Sequence, residues 1–497
     1  MRLHASARPL RVVVITFLAA ALLSGCGGID WMGRLFDASH GSTTSDAGLT
    51  ASNVSTLKIK WRLGAPACNG VSSGVGWFAT PVTFGGVIYE GSDRGCLHAI
   101  RESDGTVLWS RFMGYEPELT CSMALGIVSS AVVRGENNTT VLYFHAPDGY
   151  LYKLNASDGS TIWRSLVMIP STTQNDVYAW SSPTVANGKV IIGVSSNCDV
   201  PFVQGQVRAY DASTGNLLWT HKTIPDGFGG AGDWYDAAVD SAGDVYVTTG
   251  STTDAVGTAH PNTQNGFEQG SLLKLNGSNG TLIWKAPAPE QTGDPDYASS
   301  PILFNDGTRD LVGATHKDGW FRVYRRDNGV EVWQAMVGTR SDLGGGSAAV
   351  SGGGVWDGSR LFVVSNATTT GGTWTQFPAR VWTPQGGTAA AGSVRELDPA
   401  TGALVSVGGV PFELALPSTV LGPASLNGNR LLVIPGGVLF ANANGHENGL
   451  FVVDTTKRAS VLRHLEDGTN AGEFGQPVQE NGAILAANTD LLVKWGQ

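Results

Sequence analysis

One unit recurs along this chain, and its last copy is unfinished. The unit opens on small residues, often with Pro, and runs through an apolar strand, a turn, a second apolar strand, a polar turn and a third strand. An Asp/Asn-Gly turn and a strand ending in Trp complete it. The third copy shows the pattern: SSPTVANGKVIIGVSS (181–196), then GQVRAYDASTGNLLW (205–219). Alternation of the Val-x-Ala-Tyr kind is what half-buried strands require. Turns such as DASTG and ASDG supply Gly or Asn where φ must become positive. Eight openings occur, beginning at 79, 129, 181, 236, 299, 348, 422 and 475. The closing Trp stands at 109, 163, 219, 284 and 333, with DPATGALV in the sixth copy and DTTKRASVL in the seventh as the matching phrases. The eighth copy runs AILAAN, DLLVKW and stops at Gln497 without a fourth strand.

A spare fourth strand lies at the other end, in TLKIKW (56–61). Four-stranded units repeated radially make a β-propeller, which must close into a ring. The sequence therefore predicts an all-β chain, an eight-bladed β-propeller of four-stranded blades over 56–497, closed by the N-terminal strand. Residues 56–62 should pair with the strands around 483–495, with Trp61 in the role of Trp109 and Trp163. The repeated Trp residues should pack between blades, and Asp104, Asp158, Asp211 and Asp327 should order turns. Composition agrees: 67 Gly, 15 Trp and only 15% charged residues describe a turn-rich repeat protein. With a net charge of −10 and no long basic run, nucleic acid is excluded as a partner.

The N-terminus reads as an export signal. Arg2, Arg8 and Arg11 precede the short apolar core VVVITFLAAALL (12–23), too short for a membrane span. The core ends in LSGC, which resembles the bacterial lipoprotein signal, with residues 1–25 removed and Cys26 lipidated. An ordinary secretory signal that happens to contain a Cys is the alternative. On the lipoprotein reading the protein is periplasmic or on the outer surface, held to the membrane only through its lipid. The Gly/Ser/Thr/Asp-rich stretch 26–55 reads as a flexible tether. Lipidation of Cys26 leaves Cys68, Cys96, Cys121 and Cys198, an even set consistent with up to two disulfides of open pairing. There is no C-x-x-C and no C-x-x-C-H, hence no covalent haem site of that type.

The Trp-docked repeat resembles the quinoprotein propellers, which bind pyrroloquinoline quinone (PQQ). Similar repeats also occur in non-enzymes, including the lipoprotein of the outer-membrane barrel-assembly machine. Three segments carry the resemblance further. GDPDYASSPILF…HKDGWFRVYRRDNG (293–329) is similar to the part of quinoprotein alcohol dehydrogenases, especially polyvinyl-alcohol-dehydrogenase-like proteins, that holds an Asp base and a cation. The match implies Asp296 as catalytic base and metal contact, and Lys317 as the residue on the quinone oxygens. The chemistry suits alcohol oxidation, which needs a carboxylate for the hydroxyl proton and a positive charge for the quinone as it gains electrons. Without the resemblance, Asp294 and Asp296 would shape an inter-blade loop and Lys317 would be a solvated turn residue.

In GAGDWYDAAVDSAGDVYVTTGS (230–251), Trp234 falls where these enzymes keep a Trp under the quinone ring. Ser251 stands where the family has an Asn on the metal, and a hydroxyl is a poorer calcium ligand than an amide carbonyl. In IIGVSSNCDVPFVQG (191–205) the family's metal-binding Glu is replaced by SNCD, leaving Asp199, or Asn197, as the oxygen ligand; Cys198 does not suit calcium. The implied cofactors are PQQ and calcium, and the implied metal set is Asp296, Ser251, Asp199 and Asn197.

Two readings follow. One is a PQQ-dependent dehydrogenase of the cell envelope that oxidises a secondary or polymeric alcohol and passes electrons to a separate acceptor, such as a soluble cytochrome. The loops 252–269 and 367–391 would then cover the cofactor face and select substrate. The other is a non-catalytic propeller lipoprotein that binds protein or polysaccharide as an assembly scaffold. The altered metal ligands favour the second, and the Asp296–Lys317 stretch favours the first. Hydrolysis has no support, with no G-x-S-x-G and no H-E-x-x-H; His316 beside Lys317 reads as a surface residue.

Overall fold

The computed structural model describes residues 29–74, 76–121, 125–252, 263–289, 295–338, 352–366, 380–381, 392–407, 410–420, 422–437, 448–457, 460–469, 471–472 and 475–497. The signal segment and Cys26 lie outside them, as do most of the 252–269 and 367–391 loops. The described residues form eight four-stranded antiparallel blades in a ring. Blade 3 shows the build: Thr184–Ala186 innermost, then Lys189–Ser196, Gln206–Asp211 and Leu217–Lys222. The core lies between neighbouring blades. Val82, Tyr89 and Leu97 of blade 1, for example, pack on Val133, Leu142 and Phe144 of blade 2.

Ring closure follows the predicted route. Lys58–Leu63 pairs antiparallel with Leu492–Gly496, from Lys58 opposite Gly496 to Leu63 opposite Leu492, and so completes blade 8. Trp61 then docks on blade 1 as the repeat tryptophans dock on their neighbours. Its indole N–H donates to Glu102 O at 3.0 Å, as Trp109 donates to Ala156 O at 2.9 Å and Trp219 to Gly277 O at 3.1 Å. Each ring lies on a glycine of the next blade's turn. At Gly215 (φ +76°) a Cβ would stand 2.6 Å from the Trp163 ring, so the contact itself requires glycine. Each docked indole buries apolar surface worth on the order of 2–3 kcal/mol. Asp104, Asp158 and Asp211 accept N–H bonds from residues two or three further on and order their turns, whereas Asp327 instead pairs with Arg325 at 2.6 Å. In blade 6, DPATGALV forms the docking turn, with Trp333 donating to Pro399 O, but the fourth strand proper is Glu413–Leu416.

The stretch 29–55 differs from the expected tether, for it is packed inside the ring. Trp31 and Leu49 are fully buried, and Leu35 and His40 nearly so. Its carbonyls accept from the innermost strands in blade order: Trp31 from Thr83, Met32 from Val133, Ala38 from Val239, Ser39 from Leu303, Gly41 from Trp356 and Ser42 from Leu426, all at 2.7–3.0 Å. Blade 8 is reached through Gln476, whose side chain accepts Leu35 N–H at 2.8 Å. The inner strands would otherwise leave those N–H groups unpaired, and the segment satisfies them. Composition misled because large buried side chains are few, while backbone bonds and polar side chains such as Arg34, Thr43 and Asp46 hold much of the segment.

The segment starts and returns at one end of the ring. Asp30 accepts Gly85 N–H, and Asp46 accepts Gly482 N–H; both belong to turns between first and second strands. Both disulfides are formed, Cys68–Cys96 and Cys121–Cys198, which settles the pairing that the sequence left open. Among the described residues, no helix is long and apolar enough to cross a membrane.

Candidate functional site

A cleft opens at the other end of the ring, among the connections that lead into blades 3, 4 and 5 and the turns between their second and third strands. Its volume is about 140 Å³, against about 10 and 20 Å³ for the cavities beside His145 and Arg34, which hold little more than a water. Trp234, Asp296, Lys317, Ser251, Asn197 and Asp199 all line it, together with Trp180 and Ser195.

Asp296 and Lys317 form its centre. Lys317 Nζ lies 2.5 Å from Asp296 Oδ2, the two side chains being only 7% and 9% exposed. The other carboxylate oxygen accepts the Ser251 backbone N–H, and Lys317 N–H donates to Asp296 O at 2.9 Å. Lys317 is therefore an ion-paired, buried cation and not a solvated turn residue. Gly250 makes room for the pair, since a Cβ there would stand 3.0 Å from Asp296 Oδ1. His316, expected at the surface, is 1% exposed. Its Nε2 lies 3.0 Å from Pro295 O and its Nδ1 3.1 Å from Asp318 Oδ1, so it ties the Asp296 connection to the turn that carries Lys317. Behind it Asp318 holds a fork on Arg322, at 3.0 and 2.5 Å. Burial works against the Asp318 charge, but the bonds from His316 and Arg322 hold its carboxyl below the usual range.

Two tryptophans wall the cleft. Trp234 is half-buried, packed at 4.2 Å and a tilt of 42° against Tyr235, with Lys317 Nζ 5.4 Å from its ring centre. Trp180 donates its indole N–H to Ser196 O and Asn197 O, at 3.0 and 3.2 Å, and so holds the backbone of the third wall. There Asn197, 5% exposed, has both amide atoms without a partner, and Ser195 Oγ is likewise unpartnered. A buried amide left so is costly unless something enters the cleft to meet it. Asp199 is exposed, at φ +61°, and the Cys121–Cys198 disulfide staples its loop to the connection between blades 1 and 2. Trp180 and Ser195 were not singled out from sequence. Trp180 had a signal, standing two residues before Ser182 as Trp234 stands two before Asp236.

The cleft suits a flat anion: an aromatic face, a cation beside it and unpaired amide and hydroxyl groups. It is less suited to calcium, whose affinity rises with the number of charged oxygens. Asp296 is the one buried carboxylate lining it, both of its oxygens are already bonded, and Asn197 and Ser251 are neutral. Among the described residues no group of three or more His, Cys, Asp or Glu is placed to hold a metal.

Residues 39–337 match the PQQ family described as glucose/ethanol/alcohol dehydrogenase, beta-propeller domain, and the chain belongs to that family. It is 32% identical over 195 residues to quinohemoprotein alcohol dehydrogenase ADH IIB of Pseudomonas putida, covering 38% of this chain and 26% of the relative. It is 28% identical over 311 residues to quinohemoprotein alcohol dehydrogenase ADH-IIG of the same species, covering 59% and 39%. The chain thus spans between a quarter and two fifths of the length of these relatives. In structure it resembles quinohemoprotein alcohol dehydrogenase from Comamonas testosteroni, with a TM-score of 0.65 at 17% identity over 94% of this chain and 81% of that one, a likeness of fold.

Proposed function

We propose that the protein is a PQQ-dependent dehydrogenase that oxidises a secondary or polymeric alcohol in the cell envelope. The observation that carries this reading is the buried Asp296–Lys317 pair, with its ammonium over the Trp234 ring that lines the cleft. When bound, PQQ supplies the two-electron acceptor that no side chain provides. Trp234 would offer it an aromatic face, and Asn197 and Ser195 would offer it unpaired hydrogen-bonding groups. Asp296 takes the hydroxyl proton of the alcohol on a carboxylate oxygen. Lys317 would hold a positive charge beside Asp296 and over the Trp234 ring, where it would offset negative charge gained by a bound quinone. A calcium ion would draw on Asp296, Asn197, Ser251 and Asp199, a set with little charge, and no step is routed through it. Electrons pass on to a separate acceptor. Residues 1–25 are removed on export and Cys26 carries the lipid. The described chain starts at the face opposite the cleft, which supports a cleft turned away from the anchoring membrane.

The scaffold reading rests on the thinned metal set and predicts no cofactor binding. The test is titration of the mature protein with PQQ, with and without calcium, followed by dye-linked oxidation of secondary and polymeric alcohols. Asp296→Ala should bind PQQ and lose turnover. No binding at micromolar PQQ overturns the enzyme reading in favour of the scaffold.

A further inference from the structure

A belt of hydrogen bonds runs round the axis at the level where the connections turn into the inner strands. Gln476 N–H donates to Thr80 Oγ1 at 2.9 Å, Thr80 N–H to Ser130 Oγ at 2.8 Å and Ser130 N–H to Ser182 Oγ at 3.0 Å. Ser182 N–H then donates to Asp236 Oδ1 at 2.7 Å, and Asp236 N–H to Ser300 Oγ at 3.2 Å. The belt links blades 8, 1, 2, 3, 4 and 5 in order, through the residue that precedes Pro or Ala in each repeat.

A hydroxyl suffices as acceptor at these positions, and four of the six have one. Gln476 and Asp236 depart from the rule, and these are the two that the N-terminal segment engages, through consecutive residues. Leu35 N–H donates to Gln476 Oε1, and Arg34 Nη1 donates to Asp236 Oδ2 at 2.7 Å. The longer side chains give each belt residue a second oxygen or a longer reach, which the segment uses. The Asp236 side chain is 3% exposed, and a carboxylate so buried needs a cation. Arg34 is that cation.

Asp236 lies two residues after Trp234. The side chains around it do little to hold this stretch: both oxygens of fully buried Asp233 and the Tyr235 hydroxyl have no partner. Polar side-chain anchoring of residues 233–236 therefore falls to Asp236, bonded to Ser182 on one side and to Arg34 on the other.

We propose that Arg34 is a positioning residue for the cofactor floor: the N-terminal segment is an axial key that locks Asp236, and through it the Trp234 ring, in the geometry that receives the quinone. The proposal rests on the functional reading above for the identity of the ligand, but its geometric part does not.

The test uses the mature full-length protein and PQQ itself as probe. Arg34→Met should weaken PQQ binding roughly 10–100-fold, the scale on which removal of a supporting hydrogen-bond partner acts. Arg34→Lys, which keeps the charge, should recover most of the loss. Thr43→Val is the structural control, since it removes bonds from the same segment to Gly41 O and Trp356 O in blade 6. It should lower the melting temperature and leave PQQ affinity as in wild type. A second readout needs no cofactor: acrylamide quenching of the Trp234 fluorescence, taken as the difference between each protein and its Trp234→Phe counterpart. Arg34→Met should raise it and Thr43→Val should not. Unchanged quenching in Arg34→Met, or equal loss of affinity in Thr43→Val, overturns the proposal. A wild type that fails to bind PQQ while the Trp234 signal still responds to Arg34→Met overturns the functional reading alone.

Discussion

Replacing Lys317 by Met tests whether the centre of the cleft is held by charge or by shape. Met keeps most of the side-chain volume and removes the ammonium. Asp296 then keeps the Ser251 N–H but loses its cation, in a place where only 9% of the side chain meets water. Breaking a buried pair by removing one partner costs about 3–5 kcal/mol. At roughly 2.1 cal/mol/K per residue, a propeller of this size loses about 1 °C per kcal/mol, so the melting temperature should fall by about 3–5 °C. Asp296→Asn strands the ammonium instead and should cost a similar amount. The double variant Asp296→Asn/Lys317→Met carries neither charge and should fall well short of the sum, with a coupling above about 2 kcal/mol. An exposed pair would give no more than about 1 kcal/mol. The assay is urea unfolding of the four proteins at pH 7, repeated at high salt, which should barely change the coupling because the pair is shielded from solvent. PQQ binding should fall in both proteins that lack Lys317, whatever their stability. Additive single effects in the cycle would refute the description of this pair as a buried, mutually dependent unit.

Three further outcomes follow from the fold. Trp61→Ala removes a half-buried indole and its bond to Glu102 O, and should cost about 3 kcal/mol by thermal unfolding, whereas Leu108→Ala on an exposed rim position should stay within about 0.5 kcal/mol. Glu480 is pushed up to about 8, first by burial and then by the charge of Glu102. Its folded value lies above its unfolded one, so the favourable contribution is complete below about pH 4.5 and is lost as pH rises through 8; Glu480→Gln should match wild type near pH 4 and melt higher at pH 9. Replacing Cys121 and Cys198 by Ser opens a loop of 77 residues and should cost about 2–4 kcal/mol in unfolding experiments, with weaker PQQ binding because Asn197 and Asp199 flank Cys198.

The ring was legible because its rules are local and repeated. A glycine in each turn and a tryptophan before the next copy state where a blade ends, and an unfinished last copy points to the strand that completes it. The axial segment obeys no repeat. Its Gly, Ser and Thr residues read as a tether, and the contrary signal was scattered: Ile29, Trp31, Met32, Leu35, Phe36, Leu49 and Val54 among small and polar residues. His316 was misjudged for a related reason. Next to Lys and Asp it looks solvated, yet the end of a second strand faces the crowded axis, where a ring must be paired on both nitrogens. Disulfide pairing had no local signal at all, because Cys121 and Cys198 meet only once blades 1 to 3 are stacked.

The same contrast explains how a repetitive ring comes to hold a cleft among blades 3, 4 and 5. Each fully described blade offers the same two places near the axis, the connection before its inner strand and the turn after its second strand. At the belt itself Thr80, Ser130, Ser182 and Ser300 carry a hydroxyl. Blades 3, 4 and 5 bring their cleft residues to these places: Trp180 and Trp234 stand two residues before the belt, Asp296 four before it, and Lys317 in the turn after a second strand. Asp236 departs at the belt itself and requires Arg34. If the cleft arose from these departures, returning one of them to the rule of the other copies should erase it without opening the ring. Asp236→Ser, paired with Arg34→Met so that no charge is stranded, should therefore leave a propeller that melts within about 2 °C of the parent but binds PQQ poorly. Loss of the fold, or undiminished binding, would show that the floor does not depend on the belt.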